Sequence, residues 1–407
     1  VPQVNKLRTA LSGGPGGDTA PPSLVRLRTA LTLFFALDGF LFAGWVVRIP
    51  AIKHQTGATA STLGLALLGV SAGAVITMML TGRLCRRYGS HAVTVVCGVL
   101  LSLSIALPAQ TGSALTLGLV LLLFGAAYGG MNVAMNSAAV DLVTAMRRPV
   151  MPSFHAAFSL GGMAGAGLGG LVAGSLSPAT HLLALTGTGL LVTAATGPVL
   201  MSSRAAAPPP PEPAAGTAEQ PRKMGTRARR IVVLFGVIAL CTAYGEGALA
   251  EWGALHLSQD LDAAPGLAAA GYSLFALTMA IGRLSGTSLL ERFGQTRTLV
   301  TGGVTAAAGM LLGALAPTVW LALLGFAVAG LGLANIFPVA VGRAGALAGP
   351  SGVAAASTLG YGGMLLGPPV IGFLADWFSL PVALTTVTLL AATAAVLGYA
   401  ARNAGNT

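Results

Sequence analysis

The chain has 407 residues, 54% apolar and only 8% charged, whereas a soluble domain carries about 25% charge; a water-soluble fold is therefore set aside. Its 57 glycines follow no Gly-x-y period and lie inside long apolar runs, which excludes collagen and generic disorder. The net charge of +11 comes without the clustered basic face and reading motifs of a nucleic-acid binder, so no nucleic-acid partner is expected.

In chain order, residues 1–28 read as a cytoplasmic tail, because their Gly- and Pro-rich start lacks the apolar core of a signal peptide. The hexamer Lys6 to Leu11 recurs as Arg26 to Leu31, without a physical explanation. Twelve apolar segments follow, at about 29–52, 60–82, 91–109, 114–137, 152–176, 180–202, 231–256, 267–290, 297–315, 319–342, 352–375 and 380–401. A crossing takes about 20 apolar residues, and the runs are continuous rather than alternating, so each is predicted to be a transmembrane helix. The Pro-rich stretch 203–230 cannot bury a core and reads as a cytoplasmic linker. It separates a bundle at 29–202 from a second at 231–402, with a short tail at 403–407.

Most cations fall in the linker, in the tails and at alternate loops, which leaves Arg48 and Lys53 on the opposite side. Since cytoplasmic loops retain positive charge, both termini are expected inside a plasma (cytoplasmic) membrane. Cys85, Cys97 and Cys241 have no paired spacing, so neither a disulfide framework nor a metal site is indicated. No nucleophile set or phosphate loop stands out, and neither catalysis nor a cofactor is expected.

The halves echo each other. Arg87-Tyr88-Gly89 matches Arg292-Phe293-Gly294, and Gly161-Gly162-Met163 matches Gly362-Gly363-Met364. Parallel six-helix repeats joined by a linker resemble the major facilitator superfamily of transporters. Gly82-Arg83-Leu84-Cys85-Arg86-Arg87-Tyr88-Gly89 is similar to that family's Gly-x-Leu-x-Asp-Arg-x-Gly signature, with Arg86 where the family has an acid; Glu291, beside Arg292, keeps the acid in the second copy. The resemblance implies that this loop latches the halves together, with Glu291 rather than Arg86 able to supply the acidic contact. Asn132-Val133-Ala134-Met135-Asn136, Pro152-Ser153-Phe154-His155, Glu246-Gly247-Ala248…Glu251-Trp252 and Gly282-Arg283-Leu284-Ser285-Gly286 resemble the MosC-like branch, which is associated with sugar-like or inositol-derived solutes.

Ionisable residues inside a membrane are costly and mark function by default. Asp38 falls near mid-membrane, with Glu246 and Glu251 outward of it in the seventh segment; these three are the proton-coupling candidates. Asn132, Asn136, Asn335 and Tyr361 are candidates for solute binding, since amides suit hydroxyl-rich ligands but serve interhelical bonds equally well. Arg86, Asp141, His155, Arg283, Glu291 and Arg292 are candidates for gating. The fold class expected is all-α, a polytopic membrane protein with twelve transmembrane helices in two pseudo-symmetric halves. The leading function is alternating-access transport of a small polar, sugar- or cyclitol-like solute with protons as coupling ion. A proton-driven exporter of drugs or metabolites and a non-transporting receptor or scaffold stand as alternatives. The bilayer is the expected surrounding and a monomer the expected state.

Overall fold

The computed structural model describes residues 22–146, 150–202 and 226–403; the predicted linker lies mostly outside the described residues, as do most of the tails and the cations Arg147 and Arg148. Among the described residues the chain is helical with no strand. The helices are α1 (Pro22–Val46), α2 (Ile49–Thr56), α3 (Ala60–Tyr88), α4 (Ser90–Ser104), α5 (Ala114–Met146), α6 (Met151–Val172) and α7 (Pro178–Ser202) in the N-terminal half. The C-terminal half holds α8 (Thr226–Gln259), α9 (Pro265–Ala314), α10 (Val319–Leu333), α11 (Ile336–Trp377) and α12 (Leu380–Ala400). Among the described residues, ten stretches are long and apolar enough to cross a membrane. With α6 and the second arm of α9 as the remaining passes, the chain alternates between the side that carries Pro22, Ser202, Thr226 and Ala400, here the terminal side, and the far side.

Local chemistry explains where the helices depart from the predicted segments. The first segment was expected to run to residue 52 but divides at Val46, because Pro50 lacks an N–H and its ring crowds the carbonyl four residues earlier. Pro338 does the same to Ala334, so the tenth pass breaks between α10 and α11. The signature loop is largely helical: α3 continues through Arg86 and Arg87 and ends only at Gly89 (φ 86°, ψ 144°). Gly294, its partner in the repeat, divides α9 into two arms at φ 75° and ψ 165°. L side chains avoid this region, so a glycine is needed at both turns. The reversal inside α11 shows in Gly352, which packs on the carbonyl of Ala344, eight residues back; a straight helix would separate them by about 12 Å.

Small residues let the passes approach within each half. Gly39, Gly161 and Gly165 seat α1 against α6, on the carbonyls of Phe158, Ala36 and Phe40. In the second half Gly363 seats α11 on the carbonyl of Leu240 in α8, while Gly362 faces open space. By packing, Gly161 therefore corresponds to Gly363, one residue away from the sequence match. Gly125 on Val70 and Gly330 on Phe275 repeat the same contact 205 residues apart. Such glycine contacts replace the hydrophobic drive that lipid cannot supply.

Candidate solute pathway

The contacts between the halves define the state of the molecule. The N-terminus of α3 leaves N–H groups without partners inside the helix. Asp376, at the far end of α11, accepts from the Ala60 and Ser61 N–H groups at 3.0 and 2.8 Å, and the Thr59 hydroxyl accepts from Thr62 N–H at 3.2 Å. A carboxylate of one half thus caps a helix of the other. Nearby, Lys53 Nζ donates to Gln259 Oε1 at 2.9 Å. Burial lowers the Lys53 ammonium below the usual lysine range, and the charges of Asp376 and Asp260 oppose that shift. Deeper in, Ser71 Oγ donates to the Met364 carbonyl (3.2 Å) and Ser273 Oγ to the Met163 carbonyl (3.1 Å). These hydrogen bonds between the halves all lie between the far surface and mid-membrane. They join the halves on the far side.

Side chains of both halves converge at mid-depth. Arg283 Nη2 donates to Glu246 Oε2 at 3.1 Å, with side chains 33% and 27% exposed. Tyr128 of α5 stacks on Phe42 of α1 with ring centroids 5.1 Å apart. Its hydroxyl lies close enough to feel the charges of Asp38 and Glu246 and the hydroxyls of Tyr272 and Tyr361. Tyr272 in turn feels both members of the ion pair, and His155 of α6 feels Arg283 across the boundary between the halves. Hydroxyl-bearing aromatic rings near a partly exposed ion pair offer ring faces for stacking and both donors and acceptors for polar groups.

The candidate residues distribute unequally over this geometry. Asp38 is 0% exposed and shares its helix face with Phe34, Leu41 and Trp45; neither carboxyl oxygen has a hydrogen-bond partner. It lies buried inside the N-terminal bundle. Glu251 is also buried with Oε2 unpartnered. Because α8 shows no break at Gly245 or Gly247, the five residues between Glu246 and Glu251 turn it about 140° away from the ion pair. Arg283, counted among the cations toward the cytoplasmic end, lies near the terminal-side end of the span Pro265–Gly286 and is paired with Glu246.

Other candidates are engaged locally. Asn136 Nδ2 donates to the Asn132 carbonyl at 2.7 Å, and buried Asn335 donates to the Gly282 carbonyl at 2.8 Å, which ties the broken tenth pass to α9. His155 and Asp141 do not meet: Asp141 accepts from Ser90 Oγ at 3.4 Å, whereas His155 lies edge-on to Phe35 at 5.6 Å. Arg86, Glu291 and Arg292 are exposed, and among the described residues none of the three forms an ion pair. Arg48, expected at an outer loop, is 2% exposed. It donates to His181 Nδ1 at 2.8 Å and to the carbonyls of Leu176 and Ala173 at 3.1 and 3.3 Å. Sequence reasoning passed over Tyr128 and Tyr272. Tyr128 carried a signal, since with Asn132 and Asn136 it forms a stripe at four-residue spacing.

The profile of the Major Facilitator Superfamily matches residues 30–284 and 235–405, nearly the whole described chain. The chain belongs to the major facilitator superfamily. An uncharacterised transporter of this type from Yersinia pestis is 32% identical over 367 residues, covering 89% of this chain and 92% of that protein. The membrane protein MosC of Rhizobium meliloti is 29% identical, covering 89% and 86%, so the likeness to the MosC-like branch extends over most of the length. Among solved structures, a bacterial homologue of the human lysosomal transporter Spinster, in an inward-facing and unoccupied conformation, superposes with a TM-score of 0.75 at 14% identity, covering 94% of this chain and 97% of that one. As a member of this superfamily, the chain is a multi-pass membrane transporter.

Proposed function

We propose that this transporter moves a small polar, sugar- or cyclitol-like solute together with protons, by rocking two six-helix units, residues 29–202 and 231–402, about the mid-membrane cluster. The observation that carries the reading is the Glu246–Arg283 ion pair, whose charges reach Tyr272 and, from Glu246, Tyr128 of the other half. A solute with several hydroxyls bonds the guanidinium and carboxylate while a tyrosine covers its ring; a purely lipophilic drug would leave the pair's hydrogen-bonding capacity unmet. Orientation follows from the loop cations: the termini lie in the cytoplasm, the far side is the outside, and the transporter stands open inward in the cytoplasmic membrane, as a monomer.

In this reading Asp38 and Glu246 carry the coupling. An unpartnered charge at the depth of Asp38 costs at least ~2.5–3.5 kcal/mol; proton uptake removes that cost, and hydration during the opposite opening allows release. Glu246 exchanges its proton in competition with Arg283, whose guanidinium is thereby passed to the solute. Alternation then requires only that each state have its own set of contacts.

The test is flux in proteoliposomes. Thermal-shift screening of sugars, cyclitols and amines first supplies a solute, since selective ligands stabilise the fold by mass action. Folded Asp38→Asn and Glu246→Gln proteins should exchange that solute but lose pH-driven accumulation. Wild-type accumulation in the well-folded double variant would falsify the assignment and turn attention to Glu251, His155 and Asp141. Labelling of a cysteine introduced at exposed Ser288 only from outside would reverse the orientation.

A further inference from the structure

A pocket of about 520 Å³ opens on the terminal side of the C-terminal half, where the second arm of α9 begins and α12 ends. Two cations from different elements line it, Arg297 on α9 and Arg402 beyond α12. The ion pairs among the described residues are His256–Asp260 and Arg283–Glu246, so neither guanidinium has a carboxylate partner there. Arg402 lies over the Tyr399 ring at 4.2 Å, which holds it at the pocket mouth. A third cation, Arg343, donates to the lining residue Gln295 at 2.9 Å. The nearby acid, Glu291, is exposed and does not line the pocket.

Membrane-ward of the pocket, the two helices that flank it expose apolar side chains. Gly303 of α9 packs on the Ala391 carbonyl of α12, 2.9 Å from the position a Cβ would take, and the two helices leave the pocket between their ends. Val304 and Leu311 on α9 and Leu389 and Val396 on α12 are exposed along the same pair of helices, where the surrounding medium is lipid. Exposed Phe293 and Tyr399 stand at the pocket's level, as aromatic residues do at a membrane interface. The equivalent pocket of the N-terminal half, about 700 Å³, is lined by Arg86 but also by Asp141 and His91. An anion entering it meets a carboxylate. The repeat therefore provides an internal comparison: among the described residues, a carboxylate lines the first pocket and none lines the second.

We propose that the C-terminal pocket binds the phosphate-bearing headgroup of an anionic phospholipid from the leaflet on the terminal side, with its acyl chains along α9 and α12. Arginine suits a phosphate because its planar fork donates two bonds at once, and the exposed apolar side chains select a lipid over a free anion. The site is separate from the solute pathway and does not depend on which solute is carried.

The test uses the full chain in detergent micelles, titrated with phosphatidylglycerol, phosphatidylcholine or inorganic phosphate and read by native mass spectrometry and thermal shift. Each basic residue near an anionic lipid surface contributes about a factor of five in affinity. Arg297→Gln with Arg402→Gln should therefore weaken phosphatidylglycerol binding about thirty-fold, and Arg402→Gln alone about five-fold if the double variant folds poorly. Arg86→Gln with Arg87→Gln should leave it within two-fold, and phosphatidylcholine should not bind. Undiminished phosphatidylglycerol binding in folded Arg297 and Arg402 variants, or an equal loss in the Arg86 and Arg87 control, overturns the proposal. Equal stabilisation by inorganic phosphate makes the pocket a free-anion site and also overturns it.

Discussion

Replacing Asp376 by alanine should open the far side. The carboxylate accepts from Ala60 N–H and Ser61 N–H, the first two donors of a helix that cannot satisfy them itself. Loss of a cap costs about 1 kcal/mol in typical cases and up to about 2 in the strongest. Asp376 is exposed, so water replaces part of the interaction and salt screens the charge, which keeps the figure near the lower value. Because donor and acceptor lie on opposite halves, the loss falls on the state closed at the far side and not on its alternative. A differential of about 1 kcal/mol moves the equilibrium between them about five-fold toward far-side opening. Spin labels at exposed His54 and Ala264, in a background with Cys85, Cys97 and Cys241 replaced, report this as a longer-distance population in pulsed spin-resonance spectra. Asp376→Asn, which keeps one neutral acceptor, should give an intermediate shift. An unchanged distance distribution in a folded Asp376→Ala protein would refute the claim that this cap belongs to one state only.

Further consequences can be measured directly. Gly363→Ala, whose new methyl would meet the Leu240 carbonyl, should lower thermal stability by the equivalent of about 1–3 kcal/mol, while Gly362→Ala, which faces open space, should leave the melting temperature unchanged. Arg48→Lys should destabilise by about 1–3 kcal/mol, since an ammonium cannot span His181 and the carbonyls of α6 and its following turn as the guanidinium does; unaltered melting would show that this network adds nothing. Alanine at Gly89 or Gly294 should each cost about 1 kcal/mol or more from the positive φ alone, and equal stability for both variants and the parent would contradict the backbone geometry found there.

Hydropathy made the helices legible because lipid leaves a backbone few alternatives, and twelve apolar runs translate almost directly into passes. Their ends were less legible, as the decisive features are single residues with local effects. Pro50 and Pro338 divide runs whose hydropathy is continuous, and Gly89 ends a signature that reads as a loop but is helical up to its last residue. The repeat was visible in Arg87-Tyr88-Gly89 and Arg292-Phe293-Gly294, and both copies end on the same unusual backbone conformation. Its register near Gly362 and Gly363 was not visible, because two adjacent glycines look alike until one of them meets a carbonyl.

The site divides along a similar line. Asp38 and Glu246 stood out as costly intramembrane acids, but sequence gave no means of telling a paired acid from an orphaned one. Arg283 was placed toward the inner end of its segment by charge counting, since a cation near a helix end contributes to orientation whether its guanidinium reaches water or a carboxylate on another helix. Asp376 escaped notice for the opposite reason: its partners are backbone N–H groups, which every residue carries and no motif records. The result is a division of labour between two kinds of carboxylate. One kind, exemplified by Asp376, holds the halves together through exposed main-chain bonds that are individually weak and can be exchanged for water. The other, Glu246 with its arginine and buried Asp38, is held inside the membrane, where a change of protonation or of partner alters the energy of a state by more than any single exposed bond. If the proposed coupling holds, a weak far-side closure beside these interior carboxyls is the arrangement in which events at the centre, rather than at the rim, decide which side opens.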